Sequence, residues 1–190
     1  MSIQIIFAGI SSLLSVFCFL PYLRDIFRGT TKPHSYTWFI WAVLQTIVAQ
    51  AMWVSGAGIA IASSVIGAVL CAIIFLLSLR SGAKHITGFD TICFVGALGT
   101  MVAYLFFHDA LLSVVFATLT DFIGTLPTLR KAYYEPRTET ASTHLLSSGA
   151  GVFALLALAT FSITTMLYVS TTTVLDFICG VIVVRQGRRL

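Results

Sequence analysis

Two aspartates, Asp121 and Asp176, stand inside long apolar stretches of this 190-residue chain. An ionisable group in hydrocarbon is costly, so by default it faces a cavity, a partner or the interior of a helix bundle. A carboxyl held there can carry a proton or bind a polar solute. Their stretches begin near residues 110 and 166, and at about 1.5 Å per residue both acids lie roughly 15 to 17 Å deep, near the midplane of a ~30 Å core. The competing role is structural, a hydrogen bond to a neighbour such as Thr120 or Thr172.

Trp41 lies deep in another apolar stretch and is a candidate cavity wall, whereas Trp38 and Trp53, near its two ends, read as interfacial belt residues. Pro21 and Pro127 interrupt their stretches near one end, where a missing N–H produces a kink or a stop. The segment RKAYYEPRTETASTH holds Glu135, Arg137, Glu139 and His144, a mixture that reads as a solvated loop. Cys18, Cys71, Cys93 and Cys179 fall in apolar stretches without metal-ligand spacing, as small buried hydrophobes do. No nucleophile set, metal-ligand spacing or phosphate-binding glycine loop occurs, so an enzyme, a catalytic residue, a metal and a cofactor are all unexpected. A retinal protein needs a lysine in its last helix, and the last lysine here is Lys131.

The elements that position these residues are set by lipid. The chain is 58% hydrophobic and 9% charged, against about 25% charged for an average soluble domain. Seven apolar stretches run over roughly 3–22, 35–54, 57–79, 89–107, 110–129, 142–162 and 166–184, each near the ~20 residues a span requires. The first has no basic flank and is expected to remain as a helix. All eleven Lys and Arg residues fall in alternate connections: Arg24, Arg28 and Lys32; Arg80 and Lys84; Arg130, Lys131 and Arg137; Arg185, Arg188 and Arg189. The other connections, around Val54 to Gly58, His108 to Asp109 and Ser162 to Thr165, hold none. Since Lys and Arg stay cytoplasmic, the expectation is an all-α integral membrane protein with its N-terminus outside and its C-terminus in the cytoplasm. The net charge of +4 is then an orientation signal that also meets anionic headgroups, and nucleic acid is not an expected partner.

The halves repeat. An offset of 106 lays LLSVFCFLPYLRDIF over LTDFIGTLPTLRKAY, matching Leu20 with Leu126, Pro21 with Pro127 and Arg24 with Arg130. An offset of 105 pairs Leu70 with Leu175, Arg80 with Arg185 and Gly82 with Gly187. Spans one to three and five to seven therefore read as parallel three-helix bundles over residues 1–86 and 109–190, joined by a linker helix over 87–108. In the first half Ser15 and Cys71 occupy the positions of Asp121 and Asp176, and Ser147 is the repeat partner of Trp41. One side of a shared pocket is then acidic and the other neutral, which suits a polar or cationic solute better than an anion.

This 3+1+3 layout over the whole chain, with a proline and a short basic loop after the first helix of each half (PYLRDIFRGTTKPHSYTW and PTLRKAYYEPRTETASTH), resembles the PQ-loop proteins. That family includes the SWEET and half-size SemiSWEET sugar transporters. The naming glutamine is replaced by Tyr22 and Thr128, and the chain has no asparagine, the residue with which SWEET pockets hold sugar. The resemblance implies alternating access between two half-bundles, with Pro21 and Pro127 as hinges. It also implies that the first and third helices of a bundle are neighbours, which would bring Asp121 and Asp176 together as a coupled proton-binding pair. The expected function is a multi-pass transporter of the plasma or inner membrane, moving a small sugar-like or amino-acid-like solute with proton coupling. One chain is expected to suffice, because both half-bundles are present. The alternative is a receptor or accessory protein on the same fold, as the KDEL receptor is.

Overall fold

The structure, a computed structural model, describes residues 3–54, 61–106 and 110–188. It is all-helical, with no strand among the described residues. In chain order the helices are α1 (Ile3–Phe17), α2 (Phe19–Phe27), α3 (Ser35–Val54), α4 (Ile61–Ser81), α5 (Gly88–Phe106), α6 (Ala110–Tyr134), α7 (Ala141–Leu156) and α8 (Ile163–Gly187), with a 3-10 turn at Pro136–Thr138 before α7. The connections expected at residues 55–58 and at His108 to Asp109, together with Arg189 and the Trp53 side chain, lie outside the described residues.

Among the described residues three helices are long and apolar enough to cross a membrane: Ile3–Phe27, Leu111–Tyr134 and Thr165–Gly187. The first of these is α1 and α2 together, broken at Cys18. Proline explains the break. Pro21 has no N–H to offer the Phe17 carbonyl four residues back, and its ring crowds that carbonyl. Cys18 keeps helical dihedrals, φ −61° and ψ −24°, so the chain bends without turning away. Gly29, at φ +72°, then ends α2 in the left-handed region that glycine enters without strain. Pro127 sits inside an uninterrupted α6. There the Thr37 hydroxyl of α3 donates to the Gly124 carbonyl at 2.7 Å, one residue from the carbonyl that the proline leaves without a donor.

The expected break between the last two spans falls earlier than Ser162 to Thr165, because α7 already ends at Leu156. Ser162 is the N-cap of α8. Its hydroxyl accepts from the Thr165 amide at 3.2 Å and its own amide donates to the Thr165 hydroxyl at 3.0 Å, a reciprocal capping box. The weakly polar cluster is thus a helix start rather than the whole connection.

Side-chain placement is inverted relative to a water-soluble protein. Ile92, Phe106, Leu79, Ile3 and Leu13 are exposed, while His34, Thr37, Asp90, Thr120, Thr128, Lys131 and His144 are buried. Large apolar side chains spread over the exterior suit acyl chains better than water. In the interior, α3 packs on α4, α7 on α8, α6 on both α5 and α8, α1 on α7, and α3 on α6. Small residues permit the closest of these approaches. A Cβ added to Gly151 of α7 would lie 2.0 Å from the Thr173 Oγ1 of α8. On the other side of α7, Ser11 of α1 donates to the Ala150 carbonyl at 2.9 Å.

Candidate functional site

Where α2, α3, α4, α6, α7 and α8 converge they line a partly open cavity of about 200 Å³. Asp121 of α6 and Asp176 of α8 both line it, as do Cys71 of α4 and Trp41 of α3. Ser15 is not among the lining residues; Cys18 and Phe19 supply that wall. The stretch of α1 before the Cys18 break packs on α7, through Ser11 against Ala150 and Leu14 against Gly149. The N-terminal helices therefore reach the cavity through Cys18 and Phe19 at the start of α2 rather than through Ser15.

The two acids have unlike surroundings. Asp176 accepts from Ser147 Oγ at 2.6 Å, and its other oxygen lies 2.8 Å from His144 Nδ1. Ser147 and His144 are three residues apart on α7, so both face the same neighbour. Asp121 is 6% exposed and no Lys, Arg or His pairs with it among the described residues. The Trp41 indole is the polar group beside it. The expected structural bonds to Thr120 and Thr172 are absent: Thr120 donates to the Phe116 carbonyl, and Thr172 to that of Val169.

Aromatic rings form another part of the wall. Trp38, expected as an interfacial belt residue, is 2% exposed and lines the cavity instead. Its indole N–H donates to the Tyr22 hydroxyl at 3.1 Å, and its ring meets that of Trp41 edge-on at 4.9 Å. Tyr168, Gln45, Thr125, Thr143 and Thr172 complete the polar lining.

Beyond Trp38 and His144 the bundle closes over a second polar layer, at the end that carries the basic residues. Here the solvated-loop reading of RKAYYEPRTETASTH fails for its central residues. Glu139 and Lys131 form an ion pair at 2.7 Å with side chains 0% and 1% exposed. Lys131 also donates to the Lys32 carbonyl at 2.6 Å and the Thr138 carbonyl at 2.8 Å. Those contacts tie the loop after α2 to the loop after α6, and the Lys32 amide reinforces the tie by donating to Thr138 at 2.9 Å. Thr140 meets Thr31 at 2.5 Å and donates to Asp25 at 3.1 Å. Arg137 remains exposed.

Burial alone would raise the Glu139 carboxyl; the Lys131 ammonium, with His144 beside it, overcomes this and holds the carboxyl down at about 2. His144 Nε2 lies 3.6 Å from Glu139, so each ring nitrogen faces a carboxylate. A row of polar groups, Asp176, His144, Glu139 and Lys131, thus runs from the cavity toward the closed end. Next to it, Arg130 grips Asp90 through two bonds of 2.7 Å, and buried His34 stands 3.5 Å from the same carboxylate. Burial pushes the His34 imidazole below its ordinary value, with Asp90 opposing the shift.

Sequence reasoning missed Trp38, Tyr168 and His144 as cavity residues. Only His144 carried a usable signal. The repeat offset of 106 sets it opposite Trp38, and its spacing from Ser147 puts both on one face of α7. Among the described residues no cluster of three or more metal-ligating side chains occurs. Comparison of the chain with protein-family models, with curated proteins and with solved structures found no match in any of the three.

Proposed function

We propose that the chain is a multi-pass membrane transporter of a small polar solute, with seven spans arranged as two parallel three-helix bundles joined by α5. It resembles the PQ-loop and SWEET-like proteins in this plan and resides in the plasma or inner membrane with its C-terminus in the cytoplasm. One observation carries the reading: Asp121 and Asp176 of the second half share a single cavity with Cys18, Cys71 and Trp41 of the first, closed at the basic end by polar contacts between the halves. A packed structural core has no need of two carboxylates around a void, whereas a solute pathway does.

The packing supports two related halves. Exchanging the halves converts the contact of α1 with α7 into that of α6 with α3, and both contacts are present. The placement of all eleven Lys and Arg residues in alternate connections supports the orientation. In the transport cycle the seal of Lys131, Glu139, Thr140, Asp25 and Lys32 is the cytoplasmic gate. It opens when the half-bundles rock about Pro21 and Pro127, and Asp121 and Asp176 bind solute and protons between them.

A solute screen in proteoliposomes at two pH values, with Asp121→Asn as the control, tests this. The expected result is uptake of at least one polar solute whose pH dependence is flattened in the variant. No uptake at either pH contradicts transport, and unchanged pH dependence in both Asp121→Asn and Asp176→Asn removes the proton coupling.

A further inference from the structure

The charges around the cavity balance only with a proton or a cation beside Asp121. Two carboxylates line it, Asp121 and Asp176, and the sole basic side chain among the described lining residues is His144. That imidazole is already engaged, with Nδ1 2.8 Å from Asp176 and Nε2 facing Glu139. Asp121 is left as a buried carboxylate with an indole beside it and no cation. A buried charge requires a partner or a proton. Among the described residues no Lys or Arg lines the cavity to receive an anionic group, so an anion meets repulsion and a zwitterion leaves its carboxylate unpaired. An uncharged sugar fills the space but leaves Asp121 to be neutralised by a proton rather than by the ligand.

The walls are also suited to a cation. Trp41 and Tyr168 both stand near Asp121, and Trp38 continues the aromatic surface. The face of such a ring attracts a cation, most strongly when water is excluded. Gln45, Ser147 and Thr172 supply neutral hydrogen-bonding groups for a hydroxyl or amide on the same ligand. The space favours a small ligand, since about 200 Å³ is below the ~300 to 1,000 Å³ of pockets that take drug-sized ligands.

Resting on the transport reading of this cavity, we propose that its solute is a small organic monocation, with the ammonium group against Asp121 and the Trp41 and Tyr168 rings as its walls. The neutral side chains then fix the uncharged end, and His144 keeps Asp176 neutralised so that a single positive charge satisfies the site.

The test uses the full chain in lipid nanodiscs and isothermal titration with choline and with ethanolamine. Each cation is compared with the neutral isostere in which carbon replaces nitrogen. The expected result is that at least one cation binds about tenfold or more tighter than its isostere. Asp121→Asn abolishes that difference and Asp121→Glu retains it. Equal binding of cation and isostere by the unsubstituted chain overturns the inference, as does tighter binding of glucose or alanine than of either cation. Parallel flux measurements in proteoliposomes separate the two readings. Cation binding without flux supports the cationic site while removing the transporter. Flux of glucose or alanine with no preference for cations leaves the transporter standing and overturns the cationic site.

Discussion

Glu139 and Lys131 face one another where water does not reach, and that decides what removing either would do. Breaking a buried pair strands a charge at a cost of about 3 to 5 kcal/mol, whereas replacing both partners with apolar groups is close to neutral. Glu139→Gln is therefore expected to lower the melting temperature of the purified protein sharply. Adding Lys131→Met should recover most of the loss. The pH dependence has a defined sign. The Glu139 carboxyl is held at about 2 in the fold, below its value in the unfolded chain, so its contribution is complete above the ordinary glutamate range and is lost as pH falls toward that value. His34 acts in a higher window. Its folded value lies below the ordinary 6.5, so its burial favours the fold above that pH and opposes it as the imidazole gains a proton below it. Melting curves recorded downward from pH ~6.5 should fall more steeply for the unsubstituted chain than for His34→Gln. Asp121 and Asp176 were legible in the sequence because a charge in hydrocarbon stands out by type alone. Glu139, Lys131 and His144 were not. A mixture of charges beside a proline looks the same whether it meets water or folds beneath the ends of packed helices.

At the scale of helices, proline and glycine set the geometry. Pro21 breaks the first span at Cys18 whereas Pro127 leaves α6 continuous, although the sequence presents them as equivalents. The difference lies in their neighbours, since Thr37 donates to the α6 backbone at Gly124, and no repeat alignment contains that contact. Pro21→Ala restores the missing donor for the Phe17 carbonyl. It is expected to raise thermal stability and to slow uptake, because a straight first span resists rocking; unchanged uptake would remove Pro21 as a hinge. Gly151 is the converse case. Its missing Cβ lets α7 meet α8 with Thr173 Oγ1 2.0 Å from where that atom would stand, so Gly151→Val should cost about 1 to 3 kcal/mol by overpacking. Thr173→Ala in the same chain removes the nearest atom and should return part of that stability, read by thermal unfolding. The small residues Ser148, Gly149, Ala150 and Gly151 suit α7 to close packing. Nothing in their spacing said which neighbour would fill the gap, because that depends on tertiary contacts.

Across the whole molecule the signal was strongest, since lipid constrains composition over the full length of the chain. The all-helical class and the helices capable of spanning follow from apolar stretches of about 20 residues. Exposed Ile92, Phe106 and Leu79 around buried Lys131, His144 and Asp90 agree with that origin. The cavity was legible only through its two acids. Its aromatic wall was not, because Trp38 near a span end is indistinguishable in sequence from an interfacial anchor. The central claim is that this cavity is reached alternately from both sides of the membrane. Cys71 offers a native probe, since it lines the cavity and is a free thiol. A chain that keeps Cys71, with Cys18, Cys93 and Cys179 changed to alanine, can be treated in sealed vesicles with a membrane-impermeant thiol reagent added to one face or the other. The account predicts labelling of Cys71 from either face, with Glu139→Gln increasing the rate from the face that carries the basic residues. Labelling confined to one face, whatever the time of exposure, would contradict alternating access and leave a receptor-like cavity with one side permanently sealed.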